Sequence, residues 1–64
     1  MVSKETLKDR NNMTIGYLIT ENDGRIIIKD KNNMTKGTYY PKDNVTKDKN
    51  NRTVGTGNQL TSLL

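Results

Sequence analysis

A nine-residue segment occurs three times in this chain, and its placement constrains the fold more than any other feature. Lys8-Asp9-Arg10-Asn11-Asn12-Met13-Thr14-Ile15-Gly16 is followed by Lys29-Asp30-Lys31-Asn32-Asn33-Met34-Thr35-Lys36-Gly37 and then by Lys47-Asp48-Lys49-Asn50-Asn51-Arg52-Thr53-Val54-Gly55. The consensus K-D-[KR]-N-N-[MR]-T-x-G keeps six of nine positions in all copies, with the Asp residues 21 and then 18 positions apart (9, 30, 48). Recurrence of this kind marks supersecondary units, none of which buries its apolar face alone. Asp at the head of a turn accepts hydrogen bonds from backbone N–H groups ahead of it, and Asn tolerates the left-handed conformation that tight turns require. Each copy therefore reads as a hairpin turn with a strand on either side.

The flanking residues suit strands. Thr6-Leu7-Lys8, Arg25 to Lys29 and Val45-Thr46-Lys47 lie upstream of the three copies; Met13 to Thr20, Met34 to Tyr40 and Arg52 to Thr56 lie downstream. All are rich in β-branched or aromatic residues. Return turns fall at Glu21-Asn22-Asp23-Gly24, where Asp-Gly is a common type I′ pair, and at Pro41-Lys42-Asp43-Asn44. The expected fold is all-β: an antiparallel meander of about six short strands from three hairpin repeats. Residues 1–5 form a lead, residues 6–57 the three-repeat module (repeats near 8–16, 29–37 and 47–55) and residues 58–64 a tail. Nine Asn, nine Thr and no Ala, Phe or Trp speak against a helical chain. The high polarity is that of many disordered segments, and the ordered recurrence decides against disorder. The shorter second spacing is assigned to a shorter fifth strand, and the C-terminal half to looser packing.

Period-two alternation places Met13, Ile15, Tyr17 and Ile19 on one face of the second strand. On the opposite face Gly16, Gly37 and Gly55 make a lane without side chains, the mark of a bend, a bulge or close approach of another backbone. Ile26, Ile27 and Ile28 are apolar toward both faces, so one layer of strands leaves apolar surface open. The sheet then either remains single and stacks on a second copy or curls into a small barrel. Length points the same way: 64 residues lie near the lower limit for independent stability, and a chain without Cys or His has neither disulfides nor a zinc site to staple it. Core or interface roles are assigned to Met13, Ile15, Tyr17, Ile19, Ile26, Ile27 and Ile28. Self-association, as a homo-oligomer or against neighbouring repeats of a longer chain, is expected to complete that core. The tail Leu60-Thr61-Ser62-Leu63-Leu64 reads as a latch onto a neighbour or as a frayed end.

Chemistry-bearing residues are few. With no His or Cys, and Ser only at positions 3 and 62, the usual bases and nucleophiles are missing and catalysis is not expected. Asp9, Asp30 and Asp48 are read as turn-forming residues. D-x-N-N begins like a calcium loop, yet no glycine stands at its sixth position and no Glu closes it, so neither metal nor cofactor is expected. The four N-x-T sequons at Asn12, Asn33, Asn44 and Asn51 follow from an Asn turn running into a Thr-rich strand. Eleven Lys and Arg against seven Asp and Glu give a charge of +4, spread along the chain, and a mild attraction to polyanions follows. Tyr39 and Tyr40 with Lys29, Lys31, Lys36 and Lys42 are the candidate site for nucleic acid, another polyanion or a saccharide. No apolar run approaches a membrane span, and Met1-Val2-Ser3-Lys4 lacks the apolar region of a secretory leader.

The three K-D-x-N-N-x-T-x-G copies resemble the short Asp/Asn-turn plus Gly β-hairpin repeats of uncharacterised bacterial surface and phage-associated modules. The resemblance covers most of residues 6–57 and implies a structural or interaction role without naming a ligand. The expected function is a structural or protein-interaction module that self-associates; the alternative is a small basic β-domain that binds a polyanion.

Overall fold

The computed structural model describes residues 2–64. Six antiparallel strands, β1 (Ser3–Lys8), β2 (Thr14–Thr20), β3 (Ile26–Asp30), β4 (Thr35–Tyr40), β5 (Val45–Asp48) and β6 (Thr53–Thr56), form one meander in sequence order. A short 3-10 helix, η1 (Leu60–Leu63), follows. Among the described residues β1 and β6 do not pair with each other, so the sheet is open and the barrel alternative does not hold. The physical reason is that the face a barrel would enclose is taken by the chain's own C-terminus. No helix among the described residues is long and apolar enough to cross a membrane.

Ser3, Lys4 and Glu5, set apart above as a lead, belong to β1, where they pair with Thr20, Ile19 and Leu18. The seven residues of β2 need a partner along their whole length, and these three supply it. The two spacings between turns differ by three residues for three separate reasons. From the first interval to the second, the strand after the Asn turn, the return turn and the next strand each lose one residue, so β5 absorbs only part of the difference.

All three Asp turns have one geometry. The N–H of Asp9 donates to the Met13 carbonyl, and the N–H of Asn12 to the Asp9 carbonyl, both at 3.0 Å; Asp30 and Asp48 repeat the pattern with Met34 and Asn33, and with Arg52 and Asn51. Only the second Asn of each pair is left-handed, with φ of 64°, 69° and 65° at Asn12, Asn33 and Asn51. The return turn at Glu21–Arg25 has the same three-residue loop, closed by the Glu21 N–H on the Arg25 carbonyl at 2.7 Å. There only Gly24 has positive φ, at 95°. A type I′ pair needs two such residues, so the Asp23-Gly24 expectation is corrected to a type I turn followed by one left-handed residue.

Each Thr-x-Gly carries a β-bulge. Leu7 pairs with Gly16 and Lys8 with Thr14, which leaves Ile15 as the extra residue. The same slip makes Lys36 the extra residue opposite Ile28 and Lys29, and Val54 opposite Thr46 and Lys47. A bulge breaks side-chain alternation, so the stripe read back from Tyr17 to Met13 does not survive it. Met13 and Ile15, assigned above to core or interface, are not core: they are 64% and 40% exposed.

The core lies on the glycine face. Gly16, Leu18, Ile28 and Gly37 sit in paired register across β2, β3 and β4, and η1 lies over this lane, packed on β3 and β4. Ile28 and Leu60 are fully buried. The tail is thus neither a frayed end nor a latch onto a neighbour, but the cover of its own sheet. Glycine is what admits it: a methyl on Gly37 would collide with the Leu63 side chain and lie 2.6 Å from the Lys47 carbonyl oxygen, and one on Gly16 would meet the Lys29 carbonyl oxygen and Leu64. Ile26, Ile27, Ile19 and Tyr17 are half-buried, so the central strand is not closed off on both faces.

Candidate functional site

Three features outside the core carry chemistry: the acid-bearing turns, the open face of the sheet and its two edges. In the turns, each carboxylate serves its own backbone. Asp9 Oδ1 accepts from the N–H groups of Asn11 and Met13 at 2.8 and 3.0 Å. Asp30 accepts from Asn32 and Met34, both at 2.9 Å, and Asp48 from Asn50 and Arg52 at 2.9 and 3.0 Å. Asp30 Oδ2 also lies 3.6 Å from Lys36 Nζ. The Met34 N–H, then the Asn32 N–H and the Lys36 charge, hold the Asp30 carboxyl below its ordinary value against an opposing contribution from desolvation. Among the described residues no three carboxylates gather where they could hold a metal ion. An open groove of about 670 Å³ runs between the first two turns beside Leu64, with Asp9, Asp30 and Lys36 on its walls. Its two carboxylates already accept from N–H groups of their own turns, and Lys36 lies against Asp30.

The open face is built from the residues that alternate with the covered ones. Lys4 pairs with Ile19, Ile19 with Ile27, Ile27 with Thr38 and Thr38 with Lys47 in one row across five strands. Thr6, Tyr17 and Lys29 make the next row, and Tyr40 with Val45 extends the face on the other side. The Lys4 ammonium stands 4.3 Å from the centre of the Tyr17 ring, and that of Lys47 stands 5.6 Å from that of Tyr40. Both distances allow attraction between cation and ring face.

This face is not the site assigned from the sequence. Tyr39 and Tyr40 are consecutive in β4 and so point to opposite faces. Tyr39 sits in the covered register between Ile26 and Thr46, and its hydroxyl donates to Asn44 Oδ1 at 2.7 Å. Lys36 occupies a bulge beside Asp30, Lys31 sits in the second Asp turn, and Lys42 lies in the β4–β5 turn. Of the six assigned residues only Tyr40 and Lys29 share the open face. Tyr17, assigned to core or interface, joins them there, with Lys4 and Lys47. Lys47 was legible: it opens the third copy of the recurring segment, where Lys29 opens the second.

Thr46 is the residue that sequence reasoning missed. Fully buried, it donates its hydroxyl to the Gly57 carbonyl at 2.7 Å and accepts from the Gln59 N–H at 2.9 Å. Together with the Gly57 N–H on the Asn44 carbonyl at 2.7 Å, this fixes the reversal that sends the tail back over the sheet. At the equivalent positions in the first two copies, one residue before Lys-Asp, stand Leu7 and Ile28. A Thr in an apolar series was the available signal.

The edges are unlike each other. β1 carries Lys4, Glu5 and Lys8, charges of the kind that discourage strand addition, whereas β6 from Thr53 to Thr56 has none. No protein-family model, curated protein or solved structure matches the chain.

Proposed function

We propose that this chain is a non-catalytic, structural β module that works by associating with copies of itself. One observation carries the reading: the sheet is open, and its covered face is already filled by its own tail, so the unused bonding capacity lies at the edge strands β1 and β6. Unpaired strand edges present rows of backbone donors and acceptors to another chain. The three equal Asp turns fit a repeat module of the kind its sequence resembles. Light scattering across a wide concentration range tests the reading. A mass that rises above 7.3 kDa with concentration supports it, and a constant monomer at every concentration overturns it.

A second reading is favoured by the cations over Tyr17 and Tyr40, with Lys29 on the same face: the open face binds a polyanion by charge and stacking. Binding of an oligonucleotide that persists at physiological salt and is lost in Tyr17→Ala supports this reading. Binding that disappears with modest salt, and that Tyr17→Ala leaves unchanged, reduces it to general charge attraction.

A further inference from the structure

We infer that β6 is the docking edge for β1 of a second copy, and that Gly55 is the gap reserved for that copy's Lys8 carbonyl. The inference rests on the self-association reading and names its site and register.

Three glycines hold equivalent places in the recurring segment but not in the structure. Gly16 and Gly37 are buried, and each is obligatory because the next strand runs too close for a Cβ. The Lys29 carbonyl oxygen stands at Gly16 and the Lys47 carbonyl oxygen at Gly37. In both cases the intruding carbonyl belongs to the Lys that opens the next copy of the recurring segment. Gly55 is half-exposed and meets nothing of the kind: a methyl there would touch only Gln59 Cγ, at an ordinary 3.6 Å. Its conformation does not demand glycine either, since Gly24 and Gly57 are the glycines at positive φ among the described residues. Nothing among the described residues requires Gly55 to be glycine.

A fourth Lys-Asp strand beyond β6 would require it, and β1 is such a strand. β1, β3 and β5 each end in Lys-Asp or lead straight into it, and each faces the bulge of the following strand. β2 receives β3 with Gly16 opposite Asp30 and Tyr17 opposite Lys29; β4 receives β5 with Gly37 opposite Asp48 and Thr38 opposite Lys47. Continuing the series puts Gly55 of one copy opposite Asp9 of the next, and Thr56 opposite Lys8. Charge agrees with this pairing. Joining β1 to β1 would bring the Lys- and Glu-bearing edge against itself, whereas β6 offers an uncharged ladder. Gly57, at φ 74°, turns the chain away after Thr56, so the shared ladder is short. The contact is therefore weak and concentration-dependent. Because it joins two different edges it is not a two-fold contact, and copies add head to tail.

The test combines sedimentation velocity with cross-linking, using the full chain throughout. The wild type should form a series of species that grows with concentration, while Gly55→Val weakens association by about tenfold or more and leaves the melting temperature unchanged at dilutions where the wild type is monomeric. Gly37→Ala is the internal control and should lower the melting temperature, because there the carbonyl is already present. As the chain has no cysteine, Lys8→Cys and Thr56→Cys molecules can report the register, since cross-strand neighbours lie within disulfide reach. A disulfide that forms on mixing the two variants, and much more slowly in either alone, supports the inference and decides the matter even if Gly55→Val does not fold. Wild-type association with no mixed disulfide and no effect of Gly55→Val overturns the edge assignment and leaves self-association standing. A wild type that stays monomeric and gives no mixed disulfide overturns both.

Discussion

The two faces of this sheet are made by the same strands from alternating residues, yet one is a core and the other is not. Apolar content does not explain the outcome: the open face carries Tyr17, Ile19, Ile27, Tyr40 and Val45, and the covered side Leu7, Leu18, Ile26, Ile28 and Tyr39, five large residues each. Access explains it. A side-chain-free lane lets the Leu60–Leu64 segment approach the backbone, and dispersion falls off steeply with even a small gap. The open face has no such lane and keeps its Lys4, Lys29 and Lys47 ammonium groups in water. The glycines thus select the core face by what they lack.

The two faces should differ most in two neighbours on β3. Ile28 is fully buried beneath the tail, so Ile28→Ala should cost about 2–5 kcal/mol, a large share of the stability of a domain this small. Ile27 faces the other way between Ile19 and Thr38. Ile27→Ala should cost about 1 kcal/mol or less, the scale of a cross-strand pair. Urea unfolding midpoints of the two variants measure both. Equal losses would mean that the open face is covered in solution, and dilution would then reduce the Ile27→Ala effect.

The hold on the tail should show a smaller effect. Thr46→Val keeps the shape of the side chain but removes a hydroxyl that satisfies both the Gly57 carbonyl and the Gln59 N–H. Leaving these groups unpaired should cost about 1–3 kcal/mol. Hydrogen exchange should then accelerate at residues 59–64 and remain slow in the β1–β2 hairpin. Acceleration throughout the chain would show that tail and sheet unfold as one unit.

The turns and the number of strands were legible from the sequence because they depend on local chemistry: Asp accepts from the N–H groups ahead of it and Asn accepts a left-handed φ. Met13 and Ile15 were misplaced because alternation was counted across the bulge at Ile15, and a bulge is fixed by pairing with another strand; Tyr17 and Ile19 were read as core because apolar residues, and not the glycine lane opposite them, were taken to mark the buried side. The glycine lane was visible at Gly16, Gly37 and Gly55. What filled it was not, since nothing local to Leu60, Leu63 and Leu64 says which surface they reach. The open-face site was half-legible, for Lys29 and Lys47 recur at one position of the segment, whereas Lys4 reaches Tyr17 only through the β1–β2 register. Tyr39 was misplaced by proximity in sequence, which in a strand means opposite faces.

The smallest expected effect concerns acid, and it separates the turn end of the sheet from the tail that covers it. Asp30 and Asp23 both have carboxyl groups held below the ordinary 3.8, Asp30 chiefly by the Met34 N–H and Asp23 chiefly by the Arg25 N–H. A group whose folded value is depressed binds fewer protons folded than unfolded, so it contributes stability above its unfolded value and loses it as pH falls through the folded one. Stability from these two turns should therefore be flat from neutral pH down to about 5 and decline below about 4. Asp30→Asn keeps an oxygen for the Asn32 and Met34 N–H groups but cannot titrate or pair with Lys36. In melting curves from pH 7 to 2, Asp30→Asn should be slightly less stable at neutral pH and lose less on acidification, and the double variant with Asp23→Asn should be flatter still. The tail is fixed by Thr46, Gly57 and Gln59, none of which titrates, so exchange at residues 59–64 should not lead this decline. Acid that exposes the tail before it loosens the turns would mean that the cover depends on charge, contrary to the hydroxyl and backbone contacts that hold it.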